Sequence, residues 1–143
     1  MDKKELIQLK KEAENHLMND LLPFWISQII NEKKGGYLTH FDKKGNDTGE
    51  DEKSLIAQTR CLYTLSSAHR EGYGNGKLAE MAKHGVDFLL SKTWDNKHGG
   101  FYWMLDQKGN LKINQKIIYD HCFAIYSLSE YMASSDSQHL HFY

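Results

Sequence analysis

The chain has 143 residues, a formal net charge of -1 and 40% apolar residues. That length fits one domain with a modest core, and that apolar share excludes a disordered chain. A charge this near zero argues against a nucleic-acid binder, and the longest uncharged stretch, Leu21 to Asn31, is too short to cross a bilayer.

The chain starts with a charged segment lacking an apolar run, so no secretory leader is expected. A helix is predicted over residues 3–19, with Leu6, Leu9, Ala13, His16 and Leu17 on its inner stripe. Pro23 either lies in the first turn of a second helix capped by Asn19 or Asp20, or kinks one long helix. Phe24, Trp25, Ile29 and Ile30 are a large apolar group at its end. Gly35-Gly36 stops the helix, Tyr37 to Phe41 reads as a short strand, and residues 42–46 as a turn. The acidic run Glu50-Asp51-Glu52 precedes a helix over residues 53–67, where the helix dipole favours it. Leu55, Thr59, Leu62 and Ser66 recur on one face of that helix. Residues 70–76 form a glycine loop. The next helix, 77–91, turns Leu78, Met81, Ala82, Val86, Leu89 and Leu90 inward. A last helix is predicted from about Asn114 to Ser134, with Ile118, Cys122, Ile125, Ser129 and Met132 on one stripe, followed by an irregular tail, 134–143. Cys61 and Cys122 both fall in predicted helices, which suits reduced thiols in the cytoplasm.

The two glycine loops repeat. Gly35-Gly36-Tyr37 matches Gly99-Gly100-Phe101, Asp42 matches Asp106, and Gly45-Asn46 matches Gly109-Asn110, all at a shift of 64. After a one-residue slip, Lys53 falls on Lys116 and Leu62-Tyr63 on Ile125-Tyr126. The unit is helix, Gly-Gly hairpin, helix, and such a unit completes its core only by stacking on a neighbour. Two units cannot close a ring, so an exposed apolar edge and association of copies through it are expected.

The ordered set Pro23-Phe24-Trp25, GGY at 35–37, Gln58-Thr59-Arg60, LYTLSSAHR at 62–70, GYG at 72–74, DFLL at 87–90, WDNKHGGFYW at 94–103 and KIIYDHCFAIYSLSEY at 116–131 resembles the N-acylglucosamine 2-epimerase family. That family includes cellobiose 2-epimerases and aldose-ketose isomerases. The likeness covers about residues 17–133. It implies an all-α fold, an (α/α)6 toroid of helical hairpins, of which residues 1–143 are about the first third. A truncated form, inactive alone, is the expectation. The implied reaction moves a proton at C2 of an open-chain aldose of N-acylglucosamine, cellobiose or mannose type. Histidines serve as acid and base and an arginine steadies the oxyanion, with no metal or other cofactor. The implied partner is therefore a small carbohydrate, with neither nucleic acid nor membrane.

Arg60 occupies the place of the family's arginine. A guanidinium on a mostly apolar helix needs an anion, carbonyls or water. Glu50, Asp51 and Glu52 lie at least two turns back and Glu71 lies beyond the helix, so none is an i,i+4 partner of Arg60. A fixed cation aimed at charge that appears only in the transition state is a large catalytic effect. Tyr119 stands where the family places a tyrosine lining the sugar site, and His121 and Trp103 are further substrate-binding candidates. A tyrosine and a tryptophan can also be core filling, and a helix histidine can be a structural donor. The acid–base histidines of the family have no matching motif here: His16, His40, His69, His84, His98, His139 and His141 receive no role. No metal-ligand spacing, P-loop or dinucleotide fingerprint is present. Two rivals remain. A glycoside hydrolase or lyase toroid needs paired carboxylates, for which Asp120 and Glu130 are the candidates in the last helix. A non-enzymatic helical module would use the open edge to bind protein.

Overall fold

A computed structural model describes residues 2–50 and 52–135. Asp51 and most of the expected tail, including His139 and His141, lie outside the described residues.

Helix α1, Lys3–His16, is started by Asp2. Its carboxylate accepts the Lys4 and Glu5 amides, and the Glu5 carboxylate accepts the Asp2 amide. The chain continues through a wider π turn, Leu17–Leu21, into α2, Leu22–Gln28. In that turn the Leu22 amide reaches back to the Leu17 carbonyl. Pro23 has no amide hydrogen to continue the ladder, so the widened turn just before it keeps one helical run intact. Both sequence alternatives are partly met: the run is continuous, and Pro23 sits in the first turn of α2. The expected inward stripe of α1 is corrected. Leu6 and Leu9 are exposed, as are Ala13 and His16, and α1 has no buried residue.

The first hairpin follows, then β1, Lys53–Ser54, and α3, Leu55–Arg70. α3 starts two residues later than expected because Ser54 caps it, accepting the Ala57 amide. Helix α4, Lys77–Phe88, opens after Gly76, whose φ of 83° only glycine adopts easily. It ends in a second π turn, Leu89–Thr93. The second hairpin carries β2, Met104–Leu105, and β3, Leu111–Ile113. β1, β2 and β3 form a small antiparallel sheet in that order, tying the second hairpin to the start of α3. The expected strand at 37–41 is reduced to two isolated bridges, Ile30 with Tyr37 and Phe41 with Asp47. Helix α5, Ile118–Ser134, starts four residues later than expected, since 111–113 are in the sheet and the Gln115 carbonyl accepts the Trp103 amide.

The two hairpins repeat the bonds of their bridges and turns. Ile30 bridges Tyr37 as Trp94 bridges Phe101. The Asp42 carboxylate accepts the Lys44 and Asn46 amides at 2.8 and 2.9 Å, and Asp106 accepts those of Lys108 and Asn110 at the same two distances. An aspartate that closes its own turn needs nothing from the rest of the fold.

Leu55, Leu62 and Leu65 of α3, Leu78, Met81 and Val86 of α4, and Ala124 and Leu128 of α5 make the core. α5 buries Asp120, Ala124, Ser127, Leu128 and Tyr131 against it. The expected stripe on α5 is corrected: Ile118 is 84% and Ile125 66% exposed. The buried face mixes the small Ala124 and Ser127 with the larger Leu128 and Tyr131, so hydrophobicity alone does not select it.

Candidate functional site

Arg60 projects from the second turn of α3 into the open. It walls two adjoining hollows. One, of about 220 Å³, is bounded by Leu22, Trp25, Ile29, Cys61 and Leu65. The other, of about 210 Å³, is bounded by Thr59, Tyr63, Phe123 and Tyr126. The guanidinium lies 5.7 Å from the centre of the Phe123 ring, a cation–π distance. Among the described residues no carboxylate comes within 4 Å of it. Arg70, one helix end away, is instead paired to Glu130 at 2.7 Å. The Cys61 thiol beside Arg60 is pushed up to about 11 by burial, so it stays protonated and unreactive at neutral pH.

Phe123 also joins Arg60 to Tyr119. The Tyr119 ring meets it edge-on at 5.1 Å and is itself 62% exposed. Tyr63 and Tyr126 stack at 4.2 Å beside them. The result is an arginine flanked by aromatic faces, a surface suited to a polar ring compound. Trp103 stands at the mouth of α3, where its carbonyl accepts the Leu55 amide at 2.8 Å. Arg60 is five residues farther on, about 7.5 Å along the helix axis.

His121 lies elsewhere. Its Nε2 accepts the Phe101 amide at 2.9 Å, and its Nδ1–H donates to the Ile117 carbonyl at 2.9 Å. Both ring nitrogens therefore serve the backbone, which leaves a sugar only the ring face. In the first repeat the same job falls to Gln58. Its Oε1 accepts the Tyr37 amide at 2.7 Å, and its Nε2–H donates to the Tyr37 carbonyl at 2.9 Å. Gly36 and Gly100 make the approach feasible: a Cβ would lie 2.6 Å from Gln58 Oε1 and 2.8 Å from His121 Nε2. This equivalence has a testable consequence. His121→Gln should keep the hairpin and the melting temperature nearly unchanged. His121→Leu should leave the buried Phe101 amide without an acceptor, at a cost of about 1–3 kcal/mol. Thermal melting and exchange protection of the Phe101 amide distinguish the two; equal loss in both variants would contradict the assignment.

The second hairpin is also held by charge. Lys116 Nζ lies 2.6 Å from Asp95 Oδ2 and donates to the Gly99 carbonyl. With the Lys97 and His98 amides also donating, the Asp95 carboxyl is held well below the usual carboxylate range, the Lys116 bond being the largest cause. A depressed carboxylate contributes stability above its unfolded pKa, which is lost only as pH falls through the lower folded value.

Asp120 is buried and its Oδ2 has no hydrogen-bond partner among the described residues, so burial raises its pKa. Glu130 is ten residues along the same helix, about 15 Å by rise. Paired glycosidase carboxylates stand no more than about 9.5 Å apart, so this pair does not form such a site.

Sequence reasoning missed Phe123, although the repeat contained the signal: at the slip that matches Lys53 with Lys116, Arg60 falls on Phe123 and Gln58 on His121.

The profile of the N-acylglucosamine 2-epimerase (GlcNAc 2-epimerase) family matches residues 36–141. A cellobiose 2-epimerase of Bacteroides fragilis is 33% identical over 129 residues, 86% of this chain and 31% of its own. One from Dictyoglomus turgidum is 32% identical, over 94% of this chain and 34% of its own. The solved cellobiose 2-epimerase of Bacillus thermoamylovorans superimposes with a TM-score of 0.82 at 31% identity, over 92% of this chain and 33% of that one. A D-mannose isomerase shares the fold, with a TM-score of 0.80 at 22% identity. The cellobiose 2-epimerase structures are (α/α)6 toroids. The chain thus spans about a third of the length of these relatives. No described helix is long and apolar enough to cross a membrane. By profile, sequence and superposition together, the chain belongs to the N-acylglucosamine 2-epimerase family.

Proposed function

We propose that this chain supplies the arginine side of a sugar 2-epimerase or aldose-ketose isomerase site, acting on an open-chain aldose by proton transfer at C2. The observation that carries the reading is Arg60: an exposed guanidinium with no carboxylate neighbour among the described residues, set among aromatic rings. Removal of the C2 proton puts negative charge on O1 and O2. A planar fork of N–H donors aimed at those oxygens lowers that barrier more than it strengthens ground-state binding. Tyr119 offers its ring face and hydroxyl to the sugar, and Trp103 borders the same end of α3. His121 contributes by holding the second hairpin in place, with its ring face alone open to a ligand. The acid and base come from residues outside this third of the toroid, so the 143-residue chain alone lacks turnover.

The test is a chimera in which this chain replaces the matching third of the Dictyoglomus turgidum cellobiose 2-epimerase. It should epimerise cellobiose. A chimera that melts cooperatively but leaves cellobiose unchanged would overturn the proposal.

A further inference from the structure

The chain has two arginines, Arg60 and Arg70, both on α3 and both directed at α5. They are held in opposite ways. Arg70 donates its Nε–H to the Glu130 carboxylate at 2.7 Å, which takes up a donor and offsets the charge. Arg60 instead lies over the Phe123 ring at 5.7 Å. A ring attracts the cation through its quadrupole without cancelling the charge or occupying the N–H fork. Phe123 is itself fixed. Tyr119, one turn before it on α5, meets its ring edge-on at 5.1 Å. Tyr126, three residues after it, stacks on Tyr63 at 4.2 Å, and Tyr63 stands three residues after Arg60 on α3. The pairs Arg60–Phe123 and Tyr63–Tyr126 are thus successive rungs between the same two helices, and they wall one hollow of about 210 Å³.

We infer that Phe123 is a positioning residue: its ring aims the Arg60 guanidinium and leaves both the charge and the donor fork free for the oxyanion. A carboxylate in its place would hold Arg60 as firmly, as Glu130 holds Arg70, and would spend the donors the reaction needs. Phe123 acts through Arg60 and not on the sugar. Its part in turnover rests on the sugar reading of Arg60; the aiming itself does not.

NMR relaxation of the two arginine Nε–H groups tests the aiming in the 143-residue chain. Arg60 should be restrained in the parent and mobile in Phe123→Leu, while Arg70, held by Glu130, stays as it was. Phe123→Met carries the same expectation should the leucine variant lose its cooperative melt. Steady-state kinetics of the chimera with the Dictyoglomus turgidum enzyme tests the consequence. Phe123→Leu should lower kcat by about 2–5-fold, the worth of an exposed cation–π contact, with KM little changed. Phe123→Tyr, which keeps a ring face, should restore the rate. Phe123→Glu should restrain Arg60 and yet lower kcat by about 10²–10³, the loss of an oxyanion donor. In an Arg60→Lys background Phe123→Leu should cost nothing further, because no fork is left to aim. An Arg60 signal as mobile in the parent as in Phe123→Leu overturns the inference. So does a Phe123→Glu chimera with the parent's kcat, or a Phe123→Leu loss that appears in KM or persists in the Arg60→Lys background, which would put the ring on the sugar itself. Should Arg60→Lys alone leave kcat unchanged, the sugar reading fails, and the relaxation of Arg60 still decides whether Phe123 holds it.

Discussion

Arg60→Lys in the chimera with the Dictyoglomus turgidum enzyme should cut kcat by about 10²–10³, the loss typical of removing one preorganised oxyanion donor. The charge is kept, so any purely long-range electrostatic role would survive. What is lost is the planar two-donor fork, which an ammonium on a flexible stem cannot reproduce. KM should change far less than kcat, because the charge on O1 and O2 appears only on the way to the enediolate. The melting temperature should hardly move, since Arg60 is exposed and has no carboxylate partner among the described residues. Steady-state kinetics beside thermal melting separates these effects. Loss of folding with normal turnover in what remains folded would make Arg60 a structural residue.

The largest stability effect is expected at Gly85. It faces Tyr37, whose hydroxyl donates to the Met81 carbonyl at 2.9 Å and whose backbone is pinned by Gln58. An added Cβ would lie 2.0 Å from that hydroxyl and 2.5 and 2.7 Å from ring carbons. The ring cannot retreat without breaking the hydrogen bond to α4 or pulling the first hairpin off α3. Alanine gains about 1 kcal/mol over glycine as a helix former. Overpacking costs about 1–3 kcal/mol and occasionally more; here the ring has no free direction, so the larger cost decides the sign. Gly85→Ala should lower the melting temperature by several degrees, at roughly 2–4 °C per kcal/mol for a domain of this size. In a Tyr37→Leu background the same substitution should cost little or even stabilise, because the clash has gone. Equal losses in both backgrounds would contradict the account of this joint.

The hairpins were legible in the sequence because their information is local. Asp42 and Asp106 close their own turns through amides two and four residues on, so the repeat in letters became a repeat in bonds. The order of helices was legible as well, but not where they end: α2 stops at Gln28 and the π turn after α4 at Thr93, well before Gly35 and Gly99, because Ile30 and Trp94 turn into bridges with Tyr37 and Phe101. Which face of a helix is buried is not local. α5 displays Ile118, Ile125 and Met132 outward and buries Asp120, Ala124, Ser127, Leu128 and Tyr131 against the rest of the fold. A reading weighted by hydrophobicity therefore selects the wrong face. The leucines of α1 misled in the same way.

The site was legible in part. Arg60 stood out because an isolated guanidinium on an apolar helix needs an explanation, and the structure leaves it exposed without a carboxylate partner among the described residues. Tyr119 is joined to it through Phe123, which sequence reasoning did not single out. His121 shows the opposite limit. Its residue type suggested chemistry, while its register against Gln58 pointed to a backbone strut, and register is visible only once the repeat is carried through residue by residue. The small sheet of β1, β2 and β3 was not foreseen, since strands of two or three residues carry no periodic signal.

The central claim is that this chain holds the oxyanion side of an epimerase site and borrows its proton transfer from the rest of the toroid. Deuterium incorporation at C2 of cellobiose, followed by NMR in deuterated water, tests it most directly. The chimera should incorporate the label and produce the 2-epimer, while the isolated chain should match a heat-killed control. Incorporation by the isolated chain would place a working acid–base histidine within these 143 residues, and a folded chimera that leaves C2 protonated would remove Arg60 from the reaction altogether.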